Sequence, residues 1–442
     1  LHIVEVRTKN KSIKVKNFLL LGLLIMTTSF LFGQTRIDDI INAKEVERIE
    51  KVLSSDEMRG RRTFTPDIDK AADSIAGEFR KIGLQTLNQN KSYRQEFALV
   101  RPKFISASAT FDGSAMDQKN IIVVTCQPDL HIEERSGYSF GNIKQGENLF
   151  SAAAAFIKSD KNVIVLVDNS FASNFSRLAN FKRSIFKTDK NFVFVLADAM
   201  PSKFTIEEKH EISEQPLANV VGVLPGKTKR DDYAIFSAHY DHLGVGNPVN
   251  GDSIYNGAND DAAGTTAVIM LAKYFKALGN NERTIVFAAF TAEEIGGFGS
   301  QYFSRQFDPE KVIAMFNIEM IGTESKWGKN SAYMTGYEKT DMGSILQKNL
   351  QGTGFTFYPD PYPEQQLFYR SDNATLARLG VPAHTISTSK MDNEPNYHKV
   401  SDQIETLDMQ NMAMIIKSIA LSSRTIIAGK DTPARVKVED LR

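Results

Sequence analysis

Three runs in the second half of the chain, Ala234 to Ala238, Thr284 to Phe290 and Val312 to Ile318, are almost continuously apolar. They constrain the fold more than any other feature. A strand that is apolar at nearly every position, rather than at every second one, is buried on both faces. An apolar-striped helix over Ala262 to Leu278, closed by Gly279, separates the first run from the second. Strands of this kind alternating with helices predict an α/β fold, with a mostly parallel (mixed) sheet and helices on both faces. In such sheets functional groups gather just beyond the carboxyl ends of the strands.

Each run leads directly into acidic or histidine residues. His239-Tyr240-Asp241-His242 follows the first, Glu293-Glu294 the second, and Glu319 ends the third. Asp260-Asp261 stands immediately before the Ala262 helix, where the unsatisfied amides of a first turn favour carboxylates. Imidazole nitrogen and carboxylate oxygen are zinc ligands, and a catalytic zinc keeps one position open for water. Taken alone, a glutamate pair is usually a solvated surface feature, and an aspartate before a helix is usually a cap. Here the glutamates follow a buried strand with no polar linker.

The segments Ala238 to Gly244, Gly257 to Gly264, Phe290 to Glu294 and Tyr397-His398 resemble, in order, the signature segments of the bacterial zinc aminopeptidase family. That family also includes carboxypeptidase Q, glutamate carboxypeptidase and the transferrin receptor. The resemblance implies a zinc-exopeptidase-like fold and two zinc ions per chain. It implies that His239 and Glu319 are ligands of one ion, Glu294 and His398 ligands of the other, and Asp260 the bridge between them. Glu319 stands where the family more often has aspartate. One more methylene moves the carboxylate by about 1 Å, whereas ligand distances vary by only about 0.2 Å, so the surroundings must adjust.

By the same resemblance Glu293 is the general base acting on a metal-activated water, Asp241 holds the His239 ring, and Tyr397 is the candidate to stabilise the oxyanion. Tyr369 is a second candidate for that role. His242 is expected behind the ligands or facing the substrate. Asp261 is expected to line the pocket for a free amine or to hold the turn. In Ser371-Asp372-Asn373, asparagine replaces the histidine usual in the family motif. The expected reaction is hydrolysis of N-terminal residues from peptide substrates. Carboxypeptidase or dipeptidase activity is the alternative, with a catalytically dead, receptor-like protein behind it.

The organisation expected around this site is a catalytic domain over 34–99 and 216–429, interrupted at 100–215 by a β-rich inserted domain or lid, with a loose polar tail over 430–442. From Asp38 to Leu87 the pattern is helical, with Ile40, Ile41, Val46, Ile49, Val52 and Leu53 on one stripe. At the N-terminus Lys9, Lys11, Lys14 and Lys16 precede the apolar run Phe18 to Phe32 and then Gly33. That order reads as a signal peptide over 1–33, too short for a stable membrane span, and predicts a secreted or periplasmic protein. Lysine plus arginine and aspartate plus glutamate each total 53, which gives no basic excess to suggest a nucleic-acid partner. The single cysteine, Cys126, ends an apolar run and reads as a small buried hydrophobe. No glycine-flanked serine sits between a strand and a helix, which argues against a serine hydrolase on a similar sheet.

Overall fold

The computed structural model describes residues 37–441, so the signal-peptide reading of 1–33 lies outside the described residues. Two compact units are present. One joins the residues up to Gln95 with those from Ala218 on, and the other is Glu96–Leu217.

The first unit is a mixed α/β structure. Its strands are β1 (Phe204–Leu224, of which the part from Ala218 lies in this unit), β2 (Lys229–His239), β3 (Arg283–Phe290), β4 (Val312–Ile318), β5 (Ser331–Met334), β6 (Thr356–Pro359) and β7 (Ala383–Ser387). They are ordered β6-β5-β7-β4-β2-β3-β1. β2 pairs in parallel with both β3 and β4, and β4 with β7, whereas β1 against β3 and β5 against β7 are antiparallel. The three apolar runs are thus the adjacent central strands.

Alternate residues of these strands enter opposite cores. Ala234, Phe236, Phe287 and Phe316 pack with the helices α1 (Ala43–Leu53), α2 (Pro66–Ile82), α3 (Ala263–Leu278) and α4 (Met409–Ser422). Ile235, Val286, Ala288 and Met315 pack on the other side with Phe303, Leu376 and Ala377. Burial on both faces is the reason these strands show no alternation.

Two details depart from the sequence pattern. Val52, on the expected apolar stripe, faces outward and is 41% exposed, because α1 buries a narrower face than the stripe suggests. The polar tail is not loose among its described residues. Arg283 donates to the Asp431 carbonyl and the Thr432 hydroxyl, the Val436 amide donates to Gly380, and Val436 is buried. Polar composition suggested a free end, but the Asp431 carbonyl and the Thr432 hydroxyl supply acceptors for a buried arginine.

The second unit holds a four-stranded sheet in the order Ile121–Val124, Phe192–Leu196, Val163–Val167, Ser139–Ile143, with the helix Leu149–Ile157. It therefore adds a helix to the β-rich texture read from its sequence. Cys126 lies just past the first of these strands and is only partly buried.

Candidate metal centre

The carboxyl ends of β2, β3 and β4 deliver His239, Glu293-Glu294 and Glu319 to one edge of the sheet, and a tight turn, Ala258–Ala262, brings Asp260 there ahead of α3. The chain accepts left-handed backbone at non-glycine residues beside three of these positions: Ala292 (φ 61), Met320 (φ 51) and His398 itself (φ 56). Such conformations cost about 1–3 kcal/mol each and persist where the surroundings over-determine them. Two glycines of the turn are set by close approach. A Cβ at Gly264 would run into the Ile318 carbonyl and the Asp261 carboxylate, and one at Gly257 (φ 57) would meet the His242 ring.

Four side chains converge around the Asp260 carboxylate. His239 Nδ1 donates to the backbone carbonyl of Asp241 at 3.1 Å, which leaves Nε2 free to face Asp260 Oδ1 and Glu319 Oε1, each at 3.2 Å. On the opposite side, His398 Nε2 lies 3.3 Å from both Asp260 Oδ2 and Glu294 Oε2. The two oxygens of one carboxylate thus face two separate donor groups. Tetrahedral zinc with ligands at about 2.0 Å sets its ligands about 3.3 Å apart, so the donor spacing fits the ion on both sides of Asp260.

Two further clusters of metal-competent side chains are His239, Asp261, Glu319 and His242, Asp260, Glu294. Each contains one member with the wrong surroundings. The Asp261 oxygens already accept the amides of Gly264 and Met320 at 3.0 Å and of His239 at 3.4 Å, so Asp261 holds the turn and the start of α3. His242 Nδ1 is 2.7 Å from Glu294 Oε1 but 4.0 Å from Asp260, and the ring is buried behind Glu294 rather than exposed to a substrate.

Electrostatics follow from burial and from this crowding. Burial raises Asp260, yet hydrogen bonds from His239 and His398 outweigh it and hold the carboxyl well below its ordinary range. Hydrogen bonds donated by its ring to the Asp260 and Glu294 carboxylates push His398 up to about 10. Burial, with the negative charges of Glu319 and Asp372, holds Glu293 well above the usual glutamate range, although His239 pulls the other way. Burial likewise raises the Tyr397 hydroxyl, whose ring stacks on His398 with centroids 3.9 Å apart.

The supporting shell was less legible. Asp241 accepts the amides of Glu293 (3.0 Å) and Glu294 (3.3 Å), so its carboxylate fixes the turn carrying both glutamates. Only its backbone carbonyl orients His239; its carboxylate stays 3.8 Å from the ring. Ser371 Oγ donates to Glu319 Oε2 at 2.5 Å and itself accepts from Asn317, which anchors the longer side chain. Asn373 donates to the Phe368 and Ala383 carbonyls and accepts from Thr385, a wholly structural set. Tyr369 packs against Phe368 and is not among the residues that wall the cavity beside Glu319. That cavity, of about 50 Å³, is walled by Tyr397, Tyr333, Arg370, Leu367 and Met391.

Three buried residues escaped the sequence reading. Asp402 accepts the amides of Asn259 (2.8 Å) and Asp260 (3.0 Å) and so sets the bridging carboxylate. Arg61 donates to the carbonyls of Leu53, Tyr240, Asn256 and Gly257, tying α1 to both histidine- and aspartate-bearing segments. Asp372 is buried, which pushes its carboxyl up to about 7. Their only sequence signal was charge, for Asp372 within the segment Ser371-Asp372-Asn373.

Residues 219–422 match the model of Peptidase family M28. A probable leucine aminopeptidase of Trichophyton verrucosum (strain HKI 0517) is 26% identical over 204 residues, 44% of this chain and 53% of that protein. A probable zinc metalloprotease of Pyrenophora teres f. teres (strain 0-1) is 35% identical over 108 residues, 24% of this chain and 23% of that protein. The chain spans about half the length, or less, of these curated relatives. In fold it resembles the aminopeptidase from Aneurinibacillus sp. strain AM-1 (TM-score 0.53, 17% identity, 92% of this chain and 98% of that one). It also resembles a zinc aminopeptidase from Bacillus subtilis (TM-score 0.52, 16% identity, 91% and 99%). The segment 219–422 of this chain therefore carries the pattern of peptidase family M28, and the fold around it resembles that of zinc aminopeptidases.

Proposed function

We propose that the protein is a di-zinc aminopeptidase that hydrolyses N-terminal residues from peptides. The observation that carries this reading is the Asp260 carboxylate, whose two oxygens face separate donor groups 3.2–3.3 Å away. His239, Asp260 and Glu319 would hold one ion, and Asp260, Glu294 and His398 the other. When bound, the ions supply positive charge that polarises the scissile carbonyl and acidifies the attacking water.

The chain's own groups do the rest. Glu293, raised in basicity by burial and neighbouring charge, takes the proton of the water and returns it to the leaving amine. Asp241 keeps Glu293 and Glu294 in register through their amides. Tyr397, stacked on His398, presents its hydroxyl to the developing oxyanion. The cavity walled by Leu367, Met391 and Tyr333 receives the substrate's terminal side chain. The similarity to a probable leucine aminopeptidase and a probable zinc metalloprotease supports the same reaction class.

A second reading, carboxypeptidase or dipeptidase, is favoured by Arg370 on the cavity wall, since a guanidinium suits a terminal carboxylate. Turnover of amino-acid anilides by the purified chain, abolished by chelator and restored by zinc, is the expected result. Turnover of N-blocked dipeptides with none of anilides would replace the first reading with the second. Export is part of the proposal and rests on the lysines and apolar run of residues 9–33. Cell fractionation tests it.

A further inference from the structure

The second unit contains a cavity of about 390 Å³, within the size range of small-ligand sites. Its lining is cationic: Arg101, Lys103, Lys182 and Arg183, with Glu211 the one acidic side chain. The unit as a whole is not basic, carrying 14 lysines and arginines and 15 aspartates and glutamates over residues 96–217. Four cations on one cavity are therefore a local concentration and not a reflection of overall charge.

The cations are not equivalent. Lys103 is paired with Glu211 at the rim, 3.0 Å apart with both side chains exposed, and such a pair contributes little. Lys182 is fixed from beneath. Its ammonium lies 3.2 Å from Glu208 Oε1, Glu208 is buried, and His210 Nε2 sits 2.9 Å from the same oxygen. Phe104 packs over both, its ring 5.2 Å from Lys182 Nζ and 6.3 Å from the His210 ring. Glu208 Oε2 and His210 Nδ1 have no hydrogen-bond partner among the described residues. A buried acid and imidazole thus orient one cation on the cavity wall.

Arg101 and Arg183 have no carboxylate partner among the described residues, although their guanidiniums are the groups best shaped for planar, bidentate oxyanion recognition. Both arginines are solvent-exposed, so their guanidiniums stand accessible on one cavity beside a lysine held in place from below. We propose that this cavity is a binding site for an oxyanion, engaged by Arg101 and Arg183 with Lys182 as the fixed cation. The shared chemistry is a negatively charged oxygen group. It is supplied either by the carboxylates of an acidic peptide or by a free phosphate.

Titration calorimetry on the full chain at low salt tests this, with tetraglutamate, tetraglutamine and inorganic phosphate as probes. Tetraglutamate or phosphate should bind, tetraglutamine should not, and affinity should fall with added salt. The tighter of the two anions names the source. Arg101→Gln and Arg183→Gln should each weaken binding about tenfold, and Lys103→Gln should change it less than twofold. Neither arginine belongs to the metal centre, so anilide turnover should stay at the wild-type rate and certify the folded state. No binding of either anion at millimolar concentration overturns the proposal. So does equal affinity in the wild type and the double arginine variant.

Discussion

The two halves of the donor site are built differently. His239 stands at the end of a central strand, 1% exposed, with its ring oriented by a backbone carbonyl and its partner Glu319 anchored through Ser371 and Asn317. His398 comes from a loop, is 36% exposed, and is held by the two carboxylates, the stacked Tyr397 ring and the edge of the His242 ring. A rigid, buried half is thus opposed to an accessible one, and the bridging Asp260 is fixed from behind by Asp402. The difference teaches that the sheet supplies precision on one side only. The loop side is where protons, metal and substrate are expected to exchange.

The largest effect should come from a residue that belongs to neither half. Glu293→Gln should lower anilide turnover by about 10²–10⁴-fold, the contribution of a positioned general base, while zinc content stays at the wild-type value. Loss of zinc in that variant would move Glu293 into the ligand set.

Replacing the two histidines in turn sharpens the comparison. Both His239→Ala and His398→Ala should lose about one of two ions by elemental analysis. Unfolding of the metal-free proteins should then separate them. His239→Ala leaves buried carboxylates uncompensated, at about 3–5 kcal/mol, whereas the half-exposed His398 should cost about 1 kcal/mol or less. Equal losses would erase the distinction between the halves. In the buried half, Glu319→Asp should retain both ions and Glu319→Ala should lose one. Unchanged zinc in the alanine variant would remove Glu319 from the site.

Arg61→Met tests the support behind the buried half. Four buried carbonyls lose a charged donor, so urea denaturation should show a loss of about 3 kcal/mol.

The last effect concerns pH. Glu50 is buried against Thr266, and burial pushes its carboxyl up from 4.5 to about 8. Its folded pKa exceeds its unfolded one, so the stability it contributes is fully present below about pH 4.5 and drains away as pH rises toward 8. The stability of Glu50→Gln should fall less steeply than that of the wild type across that window. Parallel pH curves would show that Glu50 is ionised at neutral pH.

Much of this was legible in the chain itself. Near-continuous apolar runs identified the three central strands, because burial on both faces leaves a direct mark on composition. Val312 to Ile318 coincides with β4 residue for residue. His384 reads as a buried structural histidine, and it is one: Nδ1 donates to the Thr335 carbonyl and Nε2 accepts from the Thr340 hydroxyl. Asp402, Arg61 and Ser371 were not legible as supporting residues, because each acts on a segment far away in sequence. Tyr397 reads as the first oxyanion candidate and Tyr369 as the second; in the structure Tyr397 stacks on His398 and Tyr369 packs against Phe368.

The sequence by itself determined which strands are central and which acidic and imidazole groups lie at their ends, since local polarity reports local burial. Only the tertiary structure shows that the Asp261 oxygens accept backbone amides while the Asp260 oxygens face His239 and His398, and that His242 lies farther from Asp260 than His398 does. Which oxygens are already consumed by backbone amides and which ring nitrogens face both carboxylates are relations between distant segments that no run of residues records.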